Sequence, residues 1–127
     1  MNDSQYRQHC LDALADFAQT LSERTRQFPD DDPLRELARG FDGLVAAPED
    51  LYATGQALVA RFFTTYPELA PLFPRDLLWF MGGDALHLMA DEEIAVYQNL
   101  DEERHAAAAQ GQVFNIAEAR AKRLKLQ

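Results

Sequence analysis

The sequence holds one cysteine, Cys10, in 127 residues. Neither an internal disulfide nor a cysteine-based structural zinc site can be built from it. Basic residues are also scarce: 12 Lys+Arg face 21 Asp+Glu, for a formal net charge of −9 and a pI near 4.6. Phosphate recognition needs Lys and Arg, so neither nucleic acid nor an anionic membrane is expected as the main partner. Long apolar runs are missing as well. The best of them, residues 77–83, is seven residues long, against the roughly 20 that span a bilayer. Asp3 stands where a secretory signal wants positive charge, no apolar stretch follows it, and no lipidation motif is present. A cytoplasmic protein is the expectation.

Apolar residues nevertheless make up 47% of the chain, well above a disordered composition. A chain of this length buries roughly two-thirds of its unfolded surface, so a single helical domain over residues 1–127 is expected. The apolar spacing is helical almost throughout. Tyr6, Cys10, Leu14, Phe17, Leu21 and Phe28 form one stripe of a long first helix, capped by Asn2, Asp3 or Ser4 and stopped by Pro29 and the acids that follow. Asp32 is the expected cap of a second helix with Pro33 in its first turn and a stripe of Leu34, Leu37, Phe41 and Leu44. Gly40 and Gly43 on that helix invite a close neighbour.

A third helix opens at Pro48 and carries Leu51, Leu58, Val59, Phe62, Phe63 and Tyr66 up to Pro67. A short turn follows over residues 68–73. Residues 77–81 are apolar on every side, which belongs in the middle of a bundle, and Gly82-Gly83 kinks or breaks that helix. Asp91, Glu92 and Glu93 place acid at the positive end of a sixth helix, which ends near Gly111. A last helix shows Phe114, Ala117, Ala121 and Leu124. No run alternates as a strand would. The expected fold is all-α: a compact bundle of six or seven helices around a buried hydrophobic helix near residues 75–89.

Catalytic signatures are absent: there is no glycine-rich phosphate loop, dinucleotide fingerprint, nucleophile elbow or H-E-x-x-H. Asp30, Asp31 and Asp32 do not make a calcium loop, since the required glycine and terminal glutamate are misplaced. The sharpest positive signal is a carboxylate three residues before a histidine, in Asp84/His87 and again in Glu102/His105. Such units supply metal ligands in di-iron bundles. With 21 acids in 127 residues, about one position in six is acidic, and intrahelical acid–base pairs are commonly structural. Cys10 beside His9 suggests a nucleophile only on paper, because adjacent helical residues point about 100° apart. Trp79, Phe80, Phe62, Phe63, Tyr66 and Phe73 either fill the core or line a small-molecule pocket.

The charge is unevenly distributed. Residues 112–127 carry Arg120, Lys122, Arg123 and Lys125 against Glu118, a net +3, while residues 1–111 hold 8 basic and 20 acidic residues, a net −12. The basic helix either docks on an acidic partner or pairs with the protein's own acidic surface.

Two segments resemble known families. Residues 57–74, ALVARFFTTYPELAPLFP, resemble the globin pattern of a helix followed by P-E-L-x-x-L-F. His87 and His105 do not fall at the haem-ligand positions of that pattern, so no haem function follows. Residues 72–102, with the blocks LFPRDLLWF and DEEI, resemble a small uncharacterised helical family of gammaproteobacteria. That resemblance implies a bacterial cytoplasmic protein and assigns neither an activity nor site residues.

The leading expectation is a non-enzymatic protein-interaction or regulatory module without a cofactor. It would bind a protein partner or a second copy through a face built by Leu34, Phe41 and the C-terminal helix, with Arg120, Lys122, Arg123 and Lys125 as the docking residues. The alternatives are a metal binder or metal-dependent enzyme using Asp84, His87, Glu102 and His105, and a small-molecule sensor with an aromatic pocket.

Overall fold

A computed structural model describes residues 3–111 and 114–125, apart from the side chains at 116, 117 and 123–125. The described residues are helical with no strand, as the sequence predicts. Six α-helices run in order: α1 (Asp3–Thr25), α2 (Pro33–Ala46), α3 (Ala53–Thr65), α4 (Arg75–Met81), α5 (Asp91–Ala109) and α6 (Ile116–Lys125). Tight 3₁₀ turns at Pro48–Asp50, Pro67–Leu72 and Gly83–Leu88 join the middle helices. The chain divides into two compact units, one of His9–Leu88 and one of Met1–Gln8 with Met89–Gln127.

The unit of His9–Leu88 is built on phenyl rings. Phe17 of α1 lies edge-to-face against Phe41 of α2 (5.0 Å between ring centroids), Phe62 of α3 (5.3 Å) and Phe73 (4.9 Å). Phe41 and Phe62 are themselves 6.2 Å apart at 90°. Each ring thus offers a positive edge to a negative face, a geometry worth about 0.5–1.5 kcal/mol per pair beyond the area buried.

Local sequence explains how the rings arrive there. Asp32 Oδ1 accepts a hydrogen bond from the Leu34 amide at 2.9 Å, and Pro33 occupies the first turn, so α2 starts as expected. Its stripe of Leu34, Leu37, Phe41 and Leu44 is buried in full. Leu58 fills the space above Gly40, where an added Cβ would stand 2.8 Å from a Leu58 methyl; Gly43 has no neighbour within 4 Å and leaves room.

Three expectations need correction. Leu34 and Phe41, expected on a partner-binding face, are buried in the core, because the α2 stripe turns inward toward the phenyl rings. Phe28 does not continue the first stripe. The helix stops at Thr25, and Phe28 is 39% exposed. Pro48 opens only a 3₁₀ turn, and α3 begins at Ala53.

The apolar stretch after Phe73 breaks rather than bends. Leu77, Leu78 and Met81 of α4 are buried, and the helix then ends at Gly82. Gly82 (φ 63°, ψ −153°) and Gly83 (φ 54°) both have positive φ, and the Gly82 combination is open essentially to glycine alone. Gln56 of α3 fastens the break by donating from Nε2 to the Gly82 carbonyl at 2.9 Å. An added Cβ at Gly83 would come within 2.9 Å of the Tyr52 hydroxyl.

In the other unit, Met89, Val96, Tyr97 and Leu100 are buried, together with Tyr6 near the start of α1. The α5 helix begins with its three acids and ends before Gly111, as expected. α6 packs along α5. Asn115 caps it, its Oδ1 accepting from the Glu118 amide at 3.0 Å. Residues 112 and 113, and the side chains of Ala117 and Leu124 in the expected last stripe, lie outside the described residues.

The glycines give a paired test by urea denaturation. Gly83→Ala should destabilise by about 1–2 kcal/mol through its positive φ. Gly43→Ala, helical and unobstructed, should stabilise by about 0.5–1 kcal/mol.

Candidate functional site

The titratable residues that the fold buries are not those singled out by spacing. Asp76, in the first turn of α4, has a side chain only 3% exposed. Its Oδ2 lies 2.7 Å from His9 Nε2, whose ring is 31% exposed, across 67 positions of sequence. The neighbouring residue of α1, Cys10, is fully buried and points its thiol at the Asp76 main-chain carbonyl, 3.8 Å away. Two successive residues of α1 thus hold one residue of α4, one by its carboxylate and one by its backbone. A carboxylate taken out of water is costly unless paired, and His9 supplies that pairing.

A carboxylate–imidazole pair can also orient a general base. Such a base needs a cleft that brings substrate to the ring. The grooves described in this unit, one along α1 and α2 and a smaller one around Asp16, Thr20 and Leu72, do not include His9. His9 and Cys10 reach separate atoms of Asp76. The arrangement fastens helices.

In the unit of α5 and α6 the buried ion is Arg104, whose side chain is 7% exposed. Its guanidinium carbon lies 4.6 Å above the Tyr6 ring, and Nη1 donates to Asp3 Oδ1 at 2.6 Å. Nη2 stands 3.9 Å from Asp101 Oδ1. Among the described residues the Nε of Arg104 has no hydrogen-bond partner, a loss that the cation–π contact with Tyr6 offsets. The Arg104 guanidinium lowers the Asp3 carboxyl below the usual carboxylate range, first by hydrogen bonding and then by its charge, and burial opposes the shift only weakly.

The spacing-derived pairs look different in three dimensions. Asp84 and His87 share the 3₁₀ turn Gly83–Leu88, and both are exposed. Glu102 and His105 lie on α5, also exposed. His105 Nε2 comes within 4.0 Å of Asp3 and 3.4 Å of Arg104 Nη2, so a cation already occupies its side of the helix. Among the described residues no group of three or more His, Cys, Asp or Glu side chains could hold a metal ion. Each pair therefore stands without a third ligand.

Of the aromatic set, Phe62, Phe63 and Phe73 stack on one another and on the core rings. Arg75 covers Phe63 from outside at 5.8 Å. The two grooves are not lined by Trp79, Phe80, Phe62, Phe63, Tyr66 or Phe73.

On α6, Lys122 is exposed and pairs with Glu118 one turn earlier, 3.6 Å away. Arg120 is half-buried. The side chains of Arg123 and Lys125 lie outside the described residues.

Sequence reasoning missed Asp76 and Arg104. An acid in the first turn of a helix reads as a dipole partner, and an arginine in the run Glu102-Glu103-Arg104 reads as one member of a solvated charge ladder. Burial alone distinguishes them.

The fold, with the buried side chains of Asp76 and Arg104 each bonded to a residue of α1, defines an all-helical protein whose helices are tied by polar contacts. The chain belongs to the PA2817-like family, whose model matches residues 1–127. No curated protein and no solved structure matches it. Among the described residues no helix is long and apolar enough to cross a membrane.

Two measurements test these ties. His9→Ala should cost about 1.5–3 kcal/mol in urea denaturation, the worth of a hydrogen bond to a charged group. Asp3 has a lowered folded pKa, so its contribution is complete above the ordinary carboxylate range and disappears as pH falls through the lowered value. The stability gap between the parent and Asp3→Asn should therefore be flat at neutral pH and close only under acid. A gap that opens under acid would show the opposite sign.

Proposed function

We propose that this PA2817-like protein is a non-enzymatic protein-interaction or regulatory module that docks on an acidic protein surface through the basic end of its chain. The observation that carries this reading is the division of charge: net +3 over residues 112–127 against net −12 over the rest. Arg120, Lys122, Arg123 and Lys125 are the docking residues. α6 spans only ten residues and packs along α5, which leaves its outward side, with Lys122, available. Because the remainder of the chain is acidic, a second copy is the partner always at hand.

The buried Asp76 and Arg104 favour recognition over catalysis, since their contacts with His9 and Asp3 join helices. The scarcity of basic residues outside α6 argues against nucleic acid as the main partner. A bacterial cytoplasm is the proposed location, and a buried free thiol at Cys10 fits a reducing compartment.

Light scattering of the purified protein, from about 0.05 M to about 0.5 M salt, tests the reading because screening shortens severalfold over that range. The expected result is association at low salt that fades at high salt and is lost in Lys122→Glu/Lys125→Glu. A monomer at every salt concentration, or association untouched by charge reversal, contradicts it.

A further inference from the structure

The eight basic residues of positions 1–111 are all arginine, and three of them, Arg26, Arg35 and Arg39, line one groove along α1 and α2. The groove encloses about 330 Å³, room for one or two side chains. Asp30, which is not among its lining residues, holds two of these arginines. Arg39 donates from Nη2 to the Asp30 carboxylate at 3.0 Å and from Nη1 to the Asp30 main-chain carbonyl at 2.9 Å. Arg35 Nη2 stands 3.5 Å from the same carboxylate oxygen. Two guanidinium groups thus grip a single aspartyl residue by side chain and backbone together.

We propose that Arg35 and Arg39 bind a carboxylate side chain of an acidic peptide in this groove, the ligand replacing Asp30 as their partner. Arg35 is set independently of Asp30, because its Nη1 also donates to the carbonyls of Arg26 and Phe28 at the end of α1. The guanidinium therefore stays in place when the carboxylate leaves. Arg26 adds an exposed cation that has no ion pair among the described residues.

Two acids line the groove beside the three arginines: Asp42 accepts from the Ser22 hydroxyl at 2.9 Å and Glu23 from the Gln19 amide at 3.3 Å, so the lining stays net positive by one charge. The Asp30 side chain is 85% exposed, and ion pairs so exposed are weakly held, so exchange for an incoming carboxylate is cheap. Planar two-point recognition of a carboxylate is the chemistry to which arginine is suited. This site lies in the unit of His9–Leu88 and is independent of the docking proposed for α6.

The experiment follows main-chain amide NMR shifts during titration with a blocked tetra-aspartate peptide. Tetra-asparagine and inorganic phosphate serve as separate arms. The expected result is saturable shifts on residues 26–39 with tetra-aspartate and none with tetra-asparagine. Asp30→Asn should bind at least about threefold tighter, the worth of one exposed ion pair, and Arg39→Gln should lose most of the affinity. Arg39 is half exposed, so its replacement leaves the core intact, and Asp30→Asn decides the matter without it. No gain in Asp30→Asn, shifts reproduced by tetra-asparagine, or phosphate binding as tightly as the peptide each overturns the proposal. Salt-dependent association through α6 should persist in Arg39→Gln, which separates this site from the other.

Discussion

Four phenyl rings, drawn from α1, α2, α3 and the residue that closes the 67–72 turn, hold the larger unit together. Phe17 touches the other three. None of α2, α3 and α4 exceeds 14 residues, near or below the length at which an isolated helix persists in water. Their helicity depends on the rings they bring to the centre. Removing a phenyl from such a site typically costs about 3–5 kcal/mol, a large part of a small domain's total stability. Other features of this unit serve that placement. Asp32 starts α2 so that Phe41 faces inward, the prolines around the 67–72 turn deliver Phe73, and the break at Gly82-Gly83 lets α4 end where Gln56 can hold it.

The periodic part of this design is legible in the sequence. The α2 stripe, its Asp32 cap, the Pro67 stop and the glycine break follow from spacing and from residue chemistry that acts within one turn. Phe28 shows where periodicity misleads. It keeps step with the stripe, but Thr25 is the last helical residue and the register ends there. Asp76 and Arg104 show a deeper limit, since their partners, His9 and Asp3, stand 67 and 101 positions away. A long-range ion pair leaves no local pattern. The pairs that did show a pattern, Asp84/His87 and Glu102/His105, are exposed and gather no third ligand among the described residues, because an i, i+3 spacing brings two groups onto one face and says nothing about what another helix contributes.

The distribution of charge connects this architecture to a use. The buried Asp76 and Arg104 each find a partner within their own unit, His9 for the first and Asp3 for the second. The net charge is sorted by sign along the sequence, acidic through residue 111 and basic after it. Sorted charge of this kind speeds encounter with a complementary surface and weakens steeply with salt. The arginines against Asp30 repeat the theme at the scale of one residue, with guanidinium groups holding a carboxylate that water can reach.

Hydrogen exchange in dilute and in concentrated solution at low salt measures most directly whether the basic helix is a docking element. Concentration should slow exchange over residues 116–125 and over acidic surface segments, leaving the amides around His9 and Asp76 unchanged. Slowing centred on His9 and Asp76, or none over residues 116–125, would contradict a protein that works through its charged end.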